Sequence, residues 1–330
     1  MRDTILIVTD SKEPNVARVT QHLDAAHHQY VRVDVDKFLQ GSRVTFRETK
    51  GACSWVLRIN GGDVSDKDIC SVWHRRPSSP KASESIHPLY REFVENETAK
   101  FFWGLWTSLD IDFFWMNHPR ATRLLEFNKL YQMKIASDVG LPTPETLVTN
   151  SPSDAVSFID AHGGSAAMKI FGGAVIQNEE GEMLTVLTHR VSRRQAKRWL
   201  GDLGCGPVML QEYIEKQLEF RVTVVGGRIF SCAIHSQDSQ RTKDDWRRYD
   251  FDAVKHEVCC LPSAVEEKLR LFMQRCGISF GAIDLILDPD GRYVFLEVNP
   301  SGQWGWIEHL TGMPISQCIA ETLASPPHSR

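Results

Sequence analysis

One stretch of the chain, GAIDLILDPDGRYVFLEVNPSGQW at residues 281–304, constrains the fold more than any other. Two apolar runs flank the turn sequence DPDG, a pattern that predicts a β-hairpin. Asp284, Glu297 and Asn299 place oxygen-bearing side chains inside those runs. Because an ionised carboxylate is costly to bury without a partner, these side chains must face something that compensates their charge.

The spacing of these three residues predicts a shared face. A four-residue turn over DPDG places Asp284 opposite Phe295 and makes Glu297 its diagonal neighbour. Residues two apart on a strand point to the same side, so Asn299 joins them. Three oxygen ligands on one rigid surface suit Mg²⁺. The alternative interpretation is an ordinary polar face exposed to solvent.

Composition excludes several classes of protein. The chain has 330 residues, 42% apolar and 24% charged, with a net charge of −4 and no basic block, which argues against a nucleic-acid partner. Eight cysteines without a C-x-x-C pair indicate free thiols in a reducing cytoplasm. The N-terminus lacks the apolar core of a signal peptide. The most apolar stretch, residues 101–118, contains Asp110 and Asp112, so we expect no membrane span.

The order of elements predicts an α/β chain in three parts. ILIVTD, a helical pattern and YVRVDVD form a β-α-β opening typical of an open α/β domain. We expect this domain at 1–118, a central lobe at 119–206 and a C-terminal lobe with the hairpin at 207–330. Residues 120–141 predict one long helix, and residues 174–189 a hairpin turning at EEGE.

Two further motifs point to a nucleotide, although the chain contains neither a P-loop nor a G-x-G-x-x-G motif. Lys169 lies in the apolar strand AAMKIF just before two glycines, where it needs an anion or must reach solvent along its own stem. Glu212 and Tyr213 end the strand LQEYIE. They either hold a purine or mark a plain strand terminus.

Taken in order, these motifs resemble the ATP-grasp fold of carboxylate–amine ligases over residues 118–325. The series begins with a helix lysine, Lys129, and continues through Lys169 and QEYI. It then passes through an acid and an arginine, Glu219 and Arg221, and through DWRRYD to the hairpin. The segments DWRRYD and NPSGQWGWIEHLTGMPI resemble the ligases that macrocyclise ribosomal peptides, the microviridin-type or graspetide maturases. The first 117 residues, with VWHRRP, resemble their pre-ATP-grasp domain. The implied fold is this open α/β domain followed by two ATP-grasp lobes that enclose the nucleotide.

The resemblance also implies a role for each matching residue. The expected cofactors are ATP and Mg²⁺, with two ions. Catalysis would fall to Arg221, Arg247 and Lys169, near the γ-phosphate and the acyl intermediate. The implied ligand contacts are Lys129 and Lys169 at the phosphates, Gln211, Glu212, Tyr213 and Ile214 at adenine, Glu219 at the ribose, and Asp284, Glu297 and Asn299 at Mg²⁺.

The implied activity is an ATP-dependent ligase that phosphorylates Asp or Glu side chains of a precursor peptide. Attack by a hydroxyl or amine would then form an ω-ester or ω-amide crosslink and release ADP and phosphate. One alternative is a ligase that joins an amino acid or small amine to a carboxylate. Another is a non-catalytic, nucleotide-dependent peptide-binding protein, which the intact set of site residues disfavours.

The implied partner is a ribosomal precursor peptide with a leader and an acidic core, and the fold also allows a homodimer. Basic and aromatic side chains could contact that peptide, although packing or a solvated face is the default explanation for them. His235 and Asp238 are candidates for a general base. The acidic hairpin tip at 178–182 would cover ATP or contact the leader. The expected peptide contacts are Arg75, Arg76, Arg193, Arg194, Arg248 and Trp304.

Overall fold

A computed structural model describes residues 2–59, 61–108, 113–172, 175–177, 181–185, 187–199, 206–248 and 250–326. Helices and strands alternate along these residues, which confirms the predicted α/β class. None of the helices in these ranges has the length and apolar character needed to cross a membrane.

The N-terminal part contains a parallel sheet in the strand order β2-β1-β6-β7. Its central strand β1 is buried on both faces: Ile5 and Ile7 pack to one side, and Leu6 and Val8 to the other. Such two-sided burial is what makes parallel strands read as continuous apolar runs. The strands of this sheet are β1 (Thr4–Thr9), β2 (Tyr30–Asp34), β6 (Ile69–Arg75) and β7 (Phe114–Met116).

Two helices and a second sheet complete this part of the chain. Val16, Val19 and Leu23 recur three and four residues apart, so one side of the first helix is buried. An antiparallel sheet in the order β3-β4-β5 packs near the second helix. The elements are α1 (Val16–Ala25), β3 (Arg43–Thr49), β4 (Ala52–Ile59), β5 (Gly62–Ser65) and α2 (Pro88–Ser108).

The long helix predicted over 120–141 is wrong, because the chain forms two helices there, α3 (Pro119–Glu126) and α4 (Lys129–Asp138). Asn128 lies between them and its side chain accepts a hydrogen bond from the backbone N–H of Tyr131 at 3.1 Å. Asparagine is a favoured N-cap, and the uninterrupted helical period concealed this start signal. The break sets the position of Lys129 at the first turn of α4.

The central sheet is antiparallel in the order β12-β9-β13-β8. The predicted hairpin is present as β10 paired with β11, while residues 178–180 of its tip lie outside the described residues. Since β13 pairs with β9 and β8, we place the boundary between the lobes at 213–217 rather than at 206/207. The elements are β8 (Thr146–Thr149), α5 (Pro152–Ala161), β9 (Ser165–Lys169), β10 (Val175–Gln177), β11 (Met183–Thr185), β12 (His189–Ser192), α6 (Arg193–Trp199) and β13 (Val208–Glu212).

The C-terminal sheet is antiparallel in the order β16-β15-β14-β17-β18, and α7 packs against one face of it. Helix α8 was not predicted, because the short segment GWIEHLT follows the hairpin without a separate helical period. The elements are β14 (Leu218–Val225), β15 (Arg228–Ile234), β16 (His256–Cys259), α7 (Ser263–Cys276), β17 (Phe280–Leu287), β18 (Tyr293–Asn299), α8 (Gly305–Thr311) and α9 (Ile315–Ala324).

The predicted register of the β17–β18 hairpin is wrong by one position next to the turn, where Leu287 pairs with Tyr293, and by two positions at Asp284. A bulge shifts the pairing, so Asp284 opposes Glu297 directly and Phe295 opposes Leu285. Two residues of the bulged strand then face one on the partner, which brings both Leu296 and Glu297 to the same cavity. Phe295 is instead fully buried in the core on the other face. Asn299 pairs with Ala282, so it shares the face of Asp284.

The N-terminal and C-terminal parts share one apolar core. Ile7 and Val19 pack in the same cluster as Trp304, Ile319 and Leu323. Each of these five side chains is fully buried. The first domain is therefore joined to the hairpin lobe by packed side chains, and it can influence the turn that follows β18.

Candidate active site

A cavity of about 580 Å³ lies between the central and C-terminal sheets. Gln211, Glu212, Tyr213 and Ile214 all line it, as they follow the end of β13 where the chain crosses from one sheet to the other. Apolar walls on both sides would suit a flat base, and they are formed by Pro144, Ala167, Ile286 and Leu296.

Two polar side chains at this end are held in place. The Gln211 amide donates to Thr146 Oγ1 at 3.0 Å, and its buried Oε1 has no hydrogen-bond partner among the described residues. The Tyr213 hydroxyl donates to Asp244 Oδ1 at 3.0 Å, and the Arg190 guanidinium lies 4.1 Å from the ring centre. An unpartnered buried acceptor such as Gln211 Oε1 is suited to a ligand N–H.

Glu219 is a second buried acceptor in the same cavity. It pairs with Lys216 Nζ at 2.9 Å, and both side chains are enclosed. Burial raises the pKa of Glu219, while Lys216 opposes that rise. Its Oε2 atom has no partner among the described residues, so it can accept a hydrogen bond from a ligand hydroxyl.

An adjoining cavity of about 390 Å³ continues the cleft towards α4 and is lined by Lys129, Lys169, Gly172, Arg247 and Glu297, among others. Burial lowers the pKa of Lys169 to about 8, although Glu297 nearby favours its charged form. Within the described part of the chain Lys169 has no ion-pair partner, whereas Lys129 pairs with Glu297. Three cations around one carboxylate leave this end of the cleft positive, as a triphosphate requires.

Two arginines are fixed beside the carboxylates. Arg247 donates to both oxygens of Asp245, at 2.8 and 2.6 Å, and its Nη1 lies 3.7 Å from Glu297 Oε1. Although burial opposes it, the hydrogen bond from Arg247 holds the pKa of Asp245 below its usual value. Arg221 Nη1 donates to Asp284 Oδ1 at 2.9 Å, and both residues are buried. These pairs keep the guanidinium groups in one orientation.

The hairpin residues fit a magnesium site. Burial raises the pKa of Asp284, whereas Lys129, Lys169 and Arg247 outweigh burial and lower that of Glu297 to about 2. Asn299 lies two residues beyond Glu297 on the same face, with its Oδ1 accepting from the N–H of Ser301. In the part of the chain that the structure describes, no three His, Cys, Asp or Glu residues are grouped so that they alone could hold a metal ion. Two carboxylates and an amide oxygen suit Mg²⁺, which completes its shell with phosphate oxygens and water.

The expected peptide contacts have different surroundings. Arg75 is 2% exposed and Trp304 is fully buried, so their assignment as peptide contacts is wrong. Both side chains pack between the N-terminal domain and the hairpin lobe, with the Arg75 guanidinium over the Trp304 ring. Apolar residues near each of them in the sequence are buried there as well. The other four, Arg76, Arg193, Arg194 and Arg248, are exposed, and Arg193 pairs with Asp160 at 2.9 Å.

The sequence analysis missed several residues that line the cleft. Thr188, Lys216, Asp244 and Trp246 face it, as does Asp245. Asp244, Asp245 and Trp246 directly precede the two arginines of DWRRYD, so that motif could have indicated them. Trp246 stacks on Trp306 at 5.1 Å and extends the wall outward. The candidate bases His235 and Asp238 are not among the residues described as lining the cavity, and His235 pairs with Glu257 at 2.8 Å instead.

Comparison with known sequences divides the chain as its topology does. The model of the MvdD pre-ATP grasp domain matches residues 4–123. The model of the RimK-like ATP-grasp domain matches residues 126–323, which is more than half of the chain. The comparison with curated proteins gave no match.

Several solved structures are similar over nearly the whole chain. A RiPP-associated ATP-grasp ligase of Chryseobacterium gregarium, in complex with ADP and a leader and core peptide, is 29% identical with a TM-score of 0.88 and covers 98% of this chain and 97% of its own. Macrocyclase MdnC of Microcystis aeruginosa, bound to precursor peptide MdnA, is 29% identical with a TM-score of 0.81, covering 97% and 99%.

Macrocyclase MdnB of the same organism is 31% identical with a TM-score of 0.72 and again covers 97% of this chain and 99% of its own. The chain belongs to the RimK-like ATP-grasp family and is an ATP-dependent, ADP-forming ligase.

Proposed function

We propose that this ligase forms intramolecular ω-ester or ω-amide crosslinks in a ribosomally made precursor peptide. The observation that carries the proposal is the cluster of cations around Asp284 and Glu297 at one end of the nucleotide cleft. Such a cluster can gather two anions, the terminal phosphate of ATP and a peptide carboxylate. The similar structures from Chryseobacterium and Microcystis, which hold or process precursor peptides, favour a peptide over a free amino acid.

The chemistry follows from the poor reactivity of a carboxylate. An Asp or Glu side chain of the peptide attacks the γ-phosphorus, the bond to the β-phosphate oxygen breaks, and ADP leaves. Lys169, Arg221 and Arg247 neutralise the charge that develops on the transferred phosphoryl group. A peptide hydroxyl or amine then attacks the acyl carbon, loses its proton and displaces phosphate. Closure of the cleft would exclude water, which otherwise hydrolyses the acyl phosphate.

Asp284, Glu297 and Asn299 would hold Mg²⁺, and we propose two ions. When bound, Mg²⁺ draws together the phosphate oxygens and reduces their negative charge. Gln211 to Ile214 would bind adenine, and the unpartnered Glu219 oxygen would accept from a ribose hydroxyl. Lys129 would move from Glu297 to the phosphates once the carboxylate holds the metal.

For the peptide, we propose docking through exposed arginines. Arg193 and Arg194 lie on α6, and Arg76 and Arg248 are also exposed. An acidic core would be attracted to these groups. We further propose a cytoplasmic location, since the seven cysteines within the described ranges are free thiols, and we propose a homodimer as the state to examine by light scattering.

The test is incubation of the protein with ATP, Mg²⁺ and a precursor peptide containing Thr, Ser or Lys together with Asp and Glu. Each crosslink should reduce the peptide mass by one water, about 18 Da, with one ADP released. Glu297→Gln should abolish both products, while the exposed pair variant Glu321→Gln should behave as the wild type. Release of AMP in place of ADP, or an unchanged rate in Glu297→Gln, would contradict the proposal.

A further inference from the structure

Arg75 ends strand β6 of the N-terminal domain, yet its guanidinium is enclosed by the turn that follows β18. An unpaired buried charge is very costly, and both Nη atoms of Arg75 donate hydrogen bonds, while its buried Nε has no hydrogen-bond partner among the described residues. Its contacts are Ser301 O at 2.9 Å, Gly302 O at 3.1 Å, Gln303 Oε1 at 2.7 Å, Glu13 Oε1 at 3.2 Å and the Trp304 ring centre at 4.4 Å.

That turn connects directly to two residues of the active site. Asn299 Oδ1 accepts from the N–H of Ser301 at 2.9 Å, and Asn299 O accepts from the N–H of Gly302 at 3.2 Å. A Cβ at Gly302 would lie 3.0 Å from Arg221 Nη2 and 2.4 Å from the Ala282 Cβ. The backbone of the turn is thus packed against the Arg221 guanidinium, and only glycine leaves enough room.

The N-terminal domain holds the same turn from a second side. Asn117 donates through Nδ2 to Pro300 O at 2.9 Å and to Phe280 O at 2.7 Å. Its Oδ1 accepts from the N–H groups of Ser279 and Phe280. The start of β17 and the end of β18, which lie side by side at the open end of the hairpin, are therefore both anchored to the N-terminal domain through hydrogen bonds.

We propose that Arg75 is a positioning residue for the metal and phosphoryl-transfer site. It holds the 300–304 turn so that Asn299 presents its side chain beside Glu297 and the turn backbone confines Arg221. This inference rests on the proposed function, since it takes Asn299 as a metal ligand. The N-terminal domain would thus help to position reactive groups of the C-terminal lobe, although the two are distant in sequence.

A positioning role and a purely structural role predict different results when the branched guanidinium of Arg75 is removed. Lysine at this position keeps the charge. A single ammonium group, however, cannot reach the carbonyls of Ser301 and Gly302 and the side chains of Gln303 and Glu13 at the same time. If Arg75 only joined two domains, Arg75→Lys would lower the melting temperature and leave metal affinity unchanged in the folded protein. If it positions the turn, metal affinity falls while the protein stays folded.

The experiment titrates Mn²⁺ into the full-length protein with saturating ADP and follows free Mn²⁺ by electron paramagnetic resonance, well below the melting temperature. Outer partners of metal ligands change affinity about 10- to 100-fold, so Arg75→Lys should weaken Mn²⁺ binding about tenfold. ADP affinity without metal should stay within about twofold, because Arg75 does not contact the nucleotide cavity. The control is Arg58→Lys, which alters an exposed pair with Asp63 far from the turn and should leave both affinities unchanged.

Gly302→Ala provides a second variant that keeps Arg75 and moves the turn, and it should show the same selective loss of Mn²⁺ affinity. Wild-type Mn²⁺ affinity in a folded sample of either variant would overturn the inference. An equal loss of ADP binding without metal would also overturn it, because the site would then have collapsed as a whole. Failure of the wild type itself to bind Mn²⁺ with ADP would count against the proposed function and this inference together.

Discussion

Lys169 makes a quantitative prediction about nucleotide binding. Burial lowers the pKa of Lys169 to about 8, so about half of the molecules carry a neutral amine at that pH. A bound polyphosphate favours the ammonium form and should return the pKa towards the ordinary value of about 10.4. Binding of ADP or ATP therefore takes up a proton from solution.

The sign and size of the effect follow from that difference in pKa. Because the pKa is higher in the complex, binding is favoured below pH 8 and weakens as the pH rises through 8. Proton uptake should be about 0.5 per nucleotide at pH 8 and about 0.9 at pH 9. Over the same interval the affinity should fall about fivefold, and the complete shift corresponds to about 3 kcal/mol.

The assay is isothermal titration of Mg²⁺ and ADP in two buffers with different ionisation enthalpies, which reports the protons taken up. Both pH values lie above the range in which the nucleotide itself titrates. Lys169→Met should remove the uptake and the pH dependence together. Lys134→Met alters an exposed lysine on α4 that pairs with Asp138, and it should retain both. Equal proton uptake in the wild type and Lys169→Met would refute the reasoning.

Two other substitutions separate binding from folding. Glu219→Gln should raise KM for ATP about tenfold and leave kcat within about twofold, since a ribose contact is equally strong in the ground and transition states. A fall in kcat alone in steady-state assays would contradict that role. Glu321→Gln is the matched control. Phe272→Ala should lower the free energy of unfolding by about 3–5 kcal/mol in denaturant titrations because this side chain is fully buried. Leu89→Ala, at a site 74% exposed, should change it by less than about 0.5 kcal/mol, and equal losses in both variants would contradict the packing argument.

Much of the site could be predicted because its signals are local. A hairpin with acids inside apolar runs, a strand lysine before glycines and a strand ending in QEYI each depend on a few neighbouring residues. Their roles as ligands stay predictions, but the fold brings Lys129, Lys169, Arg247 and Glu297 to one cavity. Taken together, their resemblance to ATP-grasp ligases indicated the nucleotide and the ligase family before any contact was known.

The errors arise where a contact between distant residues overrides a local pattern. The bulge at Leu296 moved the register because the strand must present both Leu296 and Glu297 to the cleft while Phe295 fills the core. The break before Lys129 depends on the capping side chain of Asn128 rather than on the apolar period.

By itself the sequence determined most of the strands and helices, although not α8 or the break between α3 and α4. It also determined the residue types of the site and their spacing along each element, because these depend on short-range periodicity and turn chemistry. Only the tertiary structure decided which charged groups are buried. The sequence allowed Arg75 to be a peptide contact or a surface arginine, and Trp304 to be a peptide contact or a packing residue, and the packing of one domain on another placed both inside. Burial is set by what covers a side chain, and the carbonyls of Ser301 and Gly302 that enclose Arg75 lie 226 and 227 residues away along the chain.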